Sequence, residues 1–182
     1  MSKSPILQGK HIYLRELCMQ DAEGNYPNWF NNPEVTKYNS HGERVYTKEM
    51  AKEYIKMVAD SSSHQVFAIV DKASQKHIGN ISLQAIDTKA RNAEFAILIG
   101  EPSVYGKGVG EEAGKLLLCY GFDELGLHRI YCGTSSNNLG MQKLAGKLGM
   151  KQEGLRRDSL LKNGEFADII EYGILEDEYI KE

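Results

Sequence analysis

Cysteine, proline and net charge are all scarce in this chain. Its 182 residues include three cysteines and four prolines, and the formal net charge is −3. Cys18, Cys119 and Cys132 form no Cys-x-x-Cys pair and have no histidine at metal-ligand spacing, so we expect reduced thiols and no metal site. The near balance of charges, without a basic run, argues against nucleic acid as a partner.

Long hydrophobic runs are also missing. No segment approaches the roughly 20 apolar residues that a membrane-spanning helix needs, and residues 1–10 lack the apolar core of a signal peptide. We therefore expect a cytoplasmic protein with no membrane partner. No repeat, linker or low-complexity tract divides the sequence, and its 41% hydrophobic content is enough for a single domain over residues 1–182 to bury a large core.

Glycine, in contrast, is concentrated in one short segment. This segment follows an apolar, strand-like run, begins a helical pattern, and consists of Tyr105, Gly106, Lys107, Gly108, Val109 and Gly110. Glycines let backbone N–H groups approach a ligand, and the first turn of a helix adds unpaired donors and a positive dipole end. The spacing before Gly106-Lys107 does not fit a nucleoside-triphosphate loop, and Glu111 stands where a dinucleotide loop has its third glycine. The segment therefore predicts a cradle for another pyrophosphate ligand, with a ligand-free turn as the alternative.

Hydrophobic periodicity predicts a mixed sheet flanked by helices. Strands are expected over 11–17, 65–70, 77–86, 93–99 and 128–133, and Asn163-Gly164 predicts a hairpin between two further strands. Helices are expected over 21–31, 109–120, 141–148 and from Thr47 onward; in the last of these the predicted apolar face is Met50, Tyr54, Met57 and Val58. The expected fold class is α/β (α+β), a single domain with a sheet of about seven strands and about four helices.

The order of these features resembles a known enzyme family. Asn92-Ala-Glu-Phe-Ala-Ile-Leu-Ile-Gly100 and the glycine segment resemble the acetyl-coenzyme-A segment of the GNAT superfamily of N-acetyltransferases. Residues 129–134, Asn138 and Lys147-Leu-Gly-Met-Lys-Gln-Glu-Gly154 resemble the strand and helix that follow it, as in the ribosomal-protein-alanine acetyltransferase branch. The resemblance covers residues 10–176 and implies a sheet whose central strands splay apart.

The resemblance implies acetyl-coenzyme A as co-substrate and indicates the residues that bind it. The backbone at Ile97, Leu98 and Ile99 would pair with the pantetheine amides, at a sheet edge opened by a bulge. Segment 105–110 would hold the pyrophosphate. The Asn138 amide would bond the pantetheine or serve only as a helix cap.

Two acidic residues are the catalytic candidates that the resemblance indicates. Glu94, at the start of the central strand, would take a proton from the acceptor ammonium; the alternative is a solvated charge at a strand end. Asp168 would orient the acceptor or brace a loop, and bracing is the favoured reading because short acids near turns usually bond backbone N–H groups. Trp29 is expected to pack in the core.

The proton donor to the leaving thiolate is left open. Met141 and Ala145 stand where relatives carry Ser or Tyr acids, so water, Tyr131 and Ser136 are the remaining candidates. Because both usual acids are absent, a non-catalytic coenzyme-A sensor is a hypothesis of a different class.

The predicted activity is acetyl transfer from acetyl-coenzyme A to a primary amine, by direct attack in a ternary complex without a metal. The preferred acceptor is a nucleotide-linked amino sugar, because residues 138–172 resemble relatives linked with bacterial surface-sugar pathways. A protein N-terminus or a polyamine is the alternative. The expected partner is thus a small-molecule amine, and a homodimer is compatible with the resemblance.

Overall fold

The structure, a computed structural model, describes residues 7–180, so the ends of the expected domain, 1–6 and 181–182, lie outside the described residues. Eight strands form one sheet in the order β1-β2-β3-β4-β5-β6-β8-β7. The strands are β1 (Leu7–Gln8), β2 (Ile12–Glu16), β3 (Gln65–Asp71), β4 (His77–Asp87), β5 (Asn92–Ile99), β6 (Arg129–Ser135), β7 (Lys151–Lys162) and β8 (Glu165–Leu175). The α-helices are α1 (Tyr26–Trp29), α2 (Pro33–Thr36), α3 (Lys48–Ala59), α4 (Val109–Cys119) and α5 (Leu139–Lys147). The mixed α/β class is confirmed, with one strand and one helix more than expected.

Strand pairing follows the connections between the strands. Neighbouring strands pair antiparallel except β5 and β6, which are parallel. A parallel pair needs a crossover, and α4 supplies it. The predicted β7–β8 hairpin is confirmed: Asn163 and Gly164 have φ of 53° and 81°, as a tight two-residue turn requires.

Each face of the sheet carries its own hydrophobic core. On one face, Phe95 of β5 packs with Leu117 of α4 and Ala145 of α5. On the other face, Ala68 and Val70 of β3 pack with Trp29 of α1 and Ile55 of α3. Because side chains alternate along a strand, β5 directs Ile97 and Ile99 towards the first core and Leu98 towards the second. We call these the α4 face and the α1–α3 face.

Two helical predictions need correction. The helix predicted over 21–31 is divided into a 3₁₀ turn, Met19–Glu23, and α1. In α3 the buried side chains are Ala51, Ile55 and Val58, whereas Met57 is 55% exposed. The stripe of Ala51, Ile55 and Val58 faces the sheet, so Val58 was predicted correctly, whereas the methionines were the wrong guide to the buried face.

Candidate active site

The site begins where the two parallel strands separate. β5 and β6 pair from Asn92 and Arg129 only as far as Glu94 and Tyr131, although both strands continue, to Ile99 and to residue 135. Beyond that point each strand pairs only with its other neighbour, β4 or β8. The resulting gap between residues 95–99 and 132–135, here called the wedge, exposes backbone groups that a ligand with amides can pair with as an added strand.

The wedge does not depend on a bulge in β5. The register between β4 and β5 is continuous from Gly79–Ile99 to Gln84–Glu94, and the irregularity falls between Gln84 and Asp87. There Ala85 has a φ of 47°. The expected bulge therefore lies on β4, and the wedge results from the divergence of β5 and β6.

The loop after β5 presents a row of unpaired N–H donors. Gly106 and Gly108 have φ of 73° and 84°, a conformation that favours glycine. The N–H of Glu112 donates to the Gly108 carbonyl at 3.0 Å, but the described residues provide no acceptor for the N–H groups of residues 108–111. These donors lie at the N-terminus of the 11-residue helix α4, where the helix dipole also favours an anion.

The neighbouring side chains fix this loop against the sheet. Tyr105 Oη donates to the Ile99 carbonyl at 3.1 Å, which holds the first residue of the loop against the end of β5. A Cβ built on Gly110 would lie 3.5 Å from Leu144 Cδ2 and 3.9 Å from Ile97 Cδ1. The start of α4 therefore meets both β5 and α5. Lys107 is exposed beside the free donors.

Asn138 lies after β6, at the same edge of the sheet. Its Oδ1 accepts the N–H of Met141 at 3.1 Å and so caps α5. Within residues 7–180 its Nδ2 has no acceptor, so the amide can cap the helix and still donate to a ligand. Because the carboxyl ends of parallel strands share an edge, the predicted cofactor residues 97–99, 105–110 and 138 come together around the wedge.

A comparison with known families agrees with this arrangement. A family model described as an acetyltransferase (GNAT) domain matches residues 11–151. The chain belongs to the GNAT family of acetyltransferases. The enzyme class predicted from the sequence is thereby confirmed, whereas the ribosomal-protein-alanine branch remains a prediction.

Relatives of this GNAT protein are also named as N-acetyltransferases. It is 32% identical to a probable N-acetyltransferase, YjcK, of Bacillus subtilis over 170 residues, covering 90% of this chain and 93% of that protein. It is 29% identical to the spermidine N(1)-acetyltransferase of Escherichia coli K12 over 152 residues, covering 84% and 80%. A crystal structure of spermidine N-acetyltransferase from Vibrio cholerae in complex with CoA and spermine matches with a TM-score of 0.84 and 26% identity, covering 93% of this chain and 98% of that one.

Glu94 lies at the base of the wedge, on the α1–α3 face. It is half-buried and lines a cavity of about 130 Å³ together with Tyr131 of β6. No described residue donates a hydrogen bond to its carboxylate or forms an ion pair with it. The carboxylate is therefore available to an incoming amine.

Four charged residues that the sequence did not single out surround the same cavity. Arg129 pairs with Glu153, and Arg156 Nε lies 2.9 Å from Glu171 Oε1. A bare glycine makes room for one of them: a Cβ on Gly173 would lie 2.6 Å from Glu153 Oε1. With Glu94 included, three carboxylates face two guanidinium groups, so the cavity has an excess of negative charge.

The two positions of the usual proton donors are packed into the protein. Ala145 is fully buried in the α4-face core, and Met141 packs against that core. Tyr131, in contrast, lines the cavity beside Glu94, and the Arg129 guanidinium lies 5.6 Å from its ring centre. Of the side-chain candidates named from the sequence, Tyr131 therefore lies nearest to the predicted base.

Cys132 is also close to Glu94, but its thiol is held protonated. Burial, with a further contribution from the Glu94 carboxylate, raises the pKa of Cys132 to about 12. Its Sγ donates to Met150 Sδ at 3.7 Å. A thiol with such a pKa contains almost no thiolate near neutral pH, which argues against an acetylated cysteine as an intermediate.

Asp168 is engaged by the backbone of the β7–β8 hairpin. Its Oδ1 accepts the N–H of Asp158 at 2.9 Å, and its carbonyl accepts the N–H of Ser136 at 2.9 Å. Asp158 has a φ of 48° and lies where the register of β7 shifts, between Arg156 and Leu160. The Asp168 carboxylate thus bonds the irregular part of β7, the geometry expected of a brace.

A cavity larger than the one beside Glu94 lies away from the wedge. It has a volume of about 630 Å³ and is lined by residues of α4, including Leu116, by Lys147 at the end of α5 and Leu148 after it, and by Tyr179. Within residues 7–180, no His, Cys, Asp and Glu side chains cluster in a group of three that could bind a metal ion. None of the helices described there is long and apolar enough to span a membrane.

Proposed function

We propose that this GNAT protein transfers the acetyl group of acetyl-coenzyme A to a primary amine by direct attack in a ternary complex. The observation that carries the proposal is the wedge, with unpaired N–H groups at its mouth and the unpartnered Glu94 at its base. Residues 97–99 and Asn138 would hold the pantetheine, and residues 105–110 would hold the pyrophosphate.

Glu94 would act as the general base. A half-buried carboxylate without a partner can accept a proton from the ammonium group directly or through one water. A backbone N–H of β5 would polarise the acetyl carbonyl as negative charge develops on its oxygen. Water or Tyr131 would protonate the departing thiolate. The protonated state of Cys132 favours this direct route over a covalent one.

For the acceptor, the observations favour the polyamine alternative over the amino sugar expected from the sequence. Spermidine acetyltransferases are among the relatives, whereas the amino sugar rests only on the likeness of residues 138–172. The cavity beside Glu94 measures about 130 Å³, a few water volumes of about 30 Å³ each. This space suits an aminoalkyl end, and its surplus carboxylate suits a cation.

Release of free thiol from acetyl-coenzyme A tests the proposal, with spermidine, a nucleotide-linked amino deoxysugar and an alanine-starting peptide as acceptors. We expect kcat/KM for spermidine to exceed the other two by at least about tenfold, or about 1.4 kcal/mol of transition-state preference. A tenfold advantage for the sugar or the peptide would overturn the polyamine assignment and leave the acetyltransferase. Coenzyme-A binding without thiol release for any amine would instead support the sensor.

A further inference from the structure

The chain between β5 and the cofactor loop, residues 105–110, is attached at its first residue, Glu101, to a helix on the opposite face of the sheet. Glu101 directly follows Gly100 at the end of β5 and precedes the 3₁₀ turn Pro102–Val104 that leads into the glycine loop. Its Oε1 accepts two hydrogen bonds, from Trp29 Nε1 at 3.0 Å and from Asn25 Nδ2 at 2.6 Å. Trp29 is in α1, and Asn25 is its N-cap residue.

The packing around this contact leaves little freedom. Trp29 is only 2% exposed, and a Cβ built on Gly100 would lie 1.9 Å from Trp29 Cδ2. The indole ring therefore lies directly on the backbone that carries Glu101. Asn25 is fixed as well, because its Oδ1 accepts from Asn28 Nδ2 at 3.1 Å.

Tyr105 holds the other end of this short connection. Its Oη donates to the Ile99 carbonyl at 3.1 Å. Burial, followed by the carboxylates of Glu34 and Glu101, raises the pKa of the Tyr105 phenol, so the phenol remains a donor near neutral pH. The chain between β5 and the glycine loop is thus held on two sides, by Tyr105 and by the hydrogen bonds to Glu101.

We propose that Glu101 is a positioning residue for the cofactor loop: by accepting from Trp29 and Asn25, it fixes the direction in which the chain leaves β5 and so aligns the unpaired N–H groups of residues 108–111. A carboxylate accepts strongly from N–H donors. The two donors here belong to α1 and its N-cap residue, which are not part of the cofactor loop. Glu101 acts through the loop backbone. The cofactor site therefore depends on α1, on the α1–α3 face.

This inference rests on the proposed use of acetyl-coenzyme A, so the first measurement is coenzyme-A binding to the wild-type chain by calorimetry. Absence of binding there would refute the proposed function. Once coenzyme-A binding to the wild-type chain has been measured, Glu101→Ala is expected to raise the Kd for coenzyme A and the KM for acetyl-coenzyme A about tenfold. The kcat and the KM for the amine should change less than about twofold, because residues at the base of the wedge are untouched.

Glu101→Gln provides the rescue, because its amide oxygen keeps accepting from both donors; its Kd should stay within about threefold of the wild-type value. Glu34→Ala is the matched charge control. It removes a second carboxylate near Tyr105 that has no hydrogen bond to α1, and we expect the wild-type Kd. Asn25→Ala removes one exposed donor and should raise the Kd about threefold, which keeps the test available if Glu101→Ala fails to fold.

Three results would overturn the inference. The first is wild-type affinity in both Glu101→Ala and Asn25→Ala. In the second, Glu101→Gln loses as much affinity as Glu101→Ala, which would assign the effect to charge. In the third, Glu101→Ala raises the KM for the amine as much as the KM for acetyl-coenzyme A, which would indicate general destabilisation.

Discussion

Single glycine substitutions at the start of α4 distinguish the effect of backbone conformation on stability and cofactor binding from the effect of side-chain packing. Gly108 has a φ of 84° and no neighbouring atom within 4 Å of an added Cβ. Gly108→Ala therefore meets no steric obstacle, but places alanine in a left-handed conformation at a cost of about 1–2 kcal/mol. Alanine also makes the unfolded chain less flexible, which stabilises the folded state by about 0.4–1 kcal/mol. The net destabilisation is at most about 1.6 kcal/mol, or a fall in Tm of at most about 6 °C for a domain of this size.

Binding should suffer more than stability. The loop can relieve the strain only by changing φ at Gly108, which reorients the unpaired N–H groups that follow it. Each charge-assisted hydrogen bond lost to the pyrophosphate is worth about 1.5–3 kcal/mol, or about a 10- to 150-fold rise in the Kd for coenzyme A.

Gly110→Ala is the matched control for this substitution. Its added Cβ would make an ordinary contact with Leu144 Cδ2 at 3.5 Å, and Gly110 has no positive φ. We expect unchanged or slightly higher Tm and a Kd within about threefold of the wild-type value. Calorimetry with coenzyme A and thermal unfolding measure both quantities. Wild-type affinity in Gly108→Ala would remove the loop from the cofactor site, and equal losses in both variants would show that its conformation is not the cause.

Three further substitutions test the base and the supporting structure. Glu94→Gln should lower kcat/KM for the amine about 10²- to 10⁴-fold near pH 7 with nearly unchanged coenzyme-A affinity. A variant as fast as wild type at every pH would show that Glu94 is not the general base. Burial alone would raise the pKa of Asp21, but hydrogen bonds from Arg15, His77 and the Cys18 N–H lower it well below the ordinary 3.8. Its stabilisation is therefore present above pH 3.8 and lost as the pH falls further, so Asp21→Asn should cost about 3 kcal/mol at pH 7. The difference in the free energy of unfolding between the two proteins should begin to shrink below about pH 4 and disappear only below the folded-state pKa of Asp21, and a difference independent of pH would contradict this. Gly100→Ala should force Trp29 to move and lower the free energy of unfolding by about 1–3 kcal/mol or more, which would lower the Tm; an unchanged Tm would show that the contact is loose.

Local features of the fold were predictable because their causes are local. The glycines at 106 and 108 predicted a loop that leads into a helix, and Asn163-Gly164 predicted a hairpin; both are present, with positive φ at all four residues. In β5 the fixed two-residue period of a strand is enough to place Ile97 and Ile99 on one face and Leu98 on the other, as the structure has them. Neighbouring residues decide such features, so a single sequence contains the necessary information.

Features that depend on tertiary packing were not predictable. In α3 the sequence allows two overlapping apolar stripes, and contact with the sheet selects the one with Ala51 and Ile55. The charged residues around the cavity are brought together partly by a register shift between Gln152 and Gly154, which no local sequence pattern predicts. Trp29 was expected in the core and is there, but its bond to Glu101 joins residues 72 positions apart.

The extent of strand pairing decides what the site can do. Only three residue pairs join β5 to β6, and the last of them is Glu94–Tyr131. One further pair would move the base of the wedge by about 3.3 Å and close β6 over the backbone that would bind the cofactor under the proposed function. The cofactor half is therefore set by the crossover β5-α4-β6. Three of the four charged residues beside Glu94, namely Glu153, Arg156 and Glu171, come instead from β7 and β8, whose irregular pairing can change without altering the crossover. An acetyltransferase of this fold can thus keep one cofactor and change its amine.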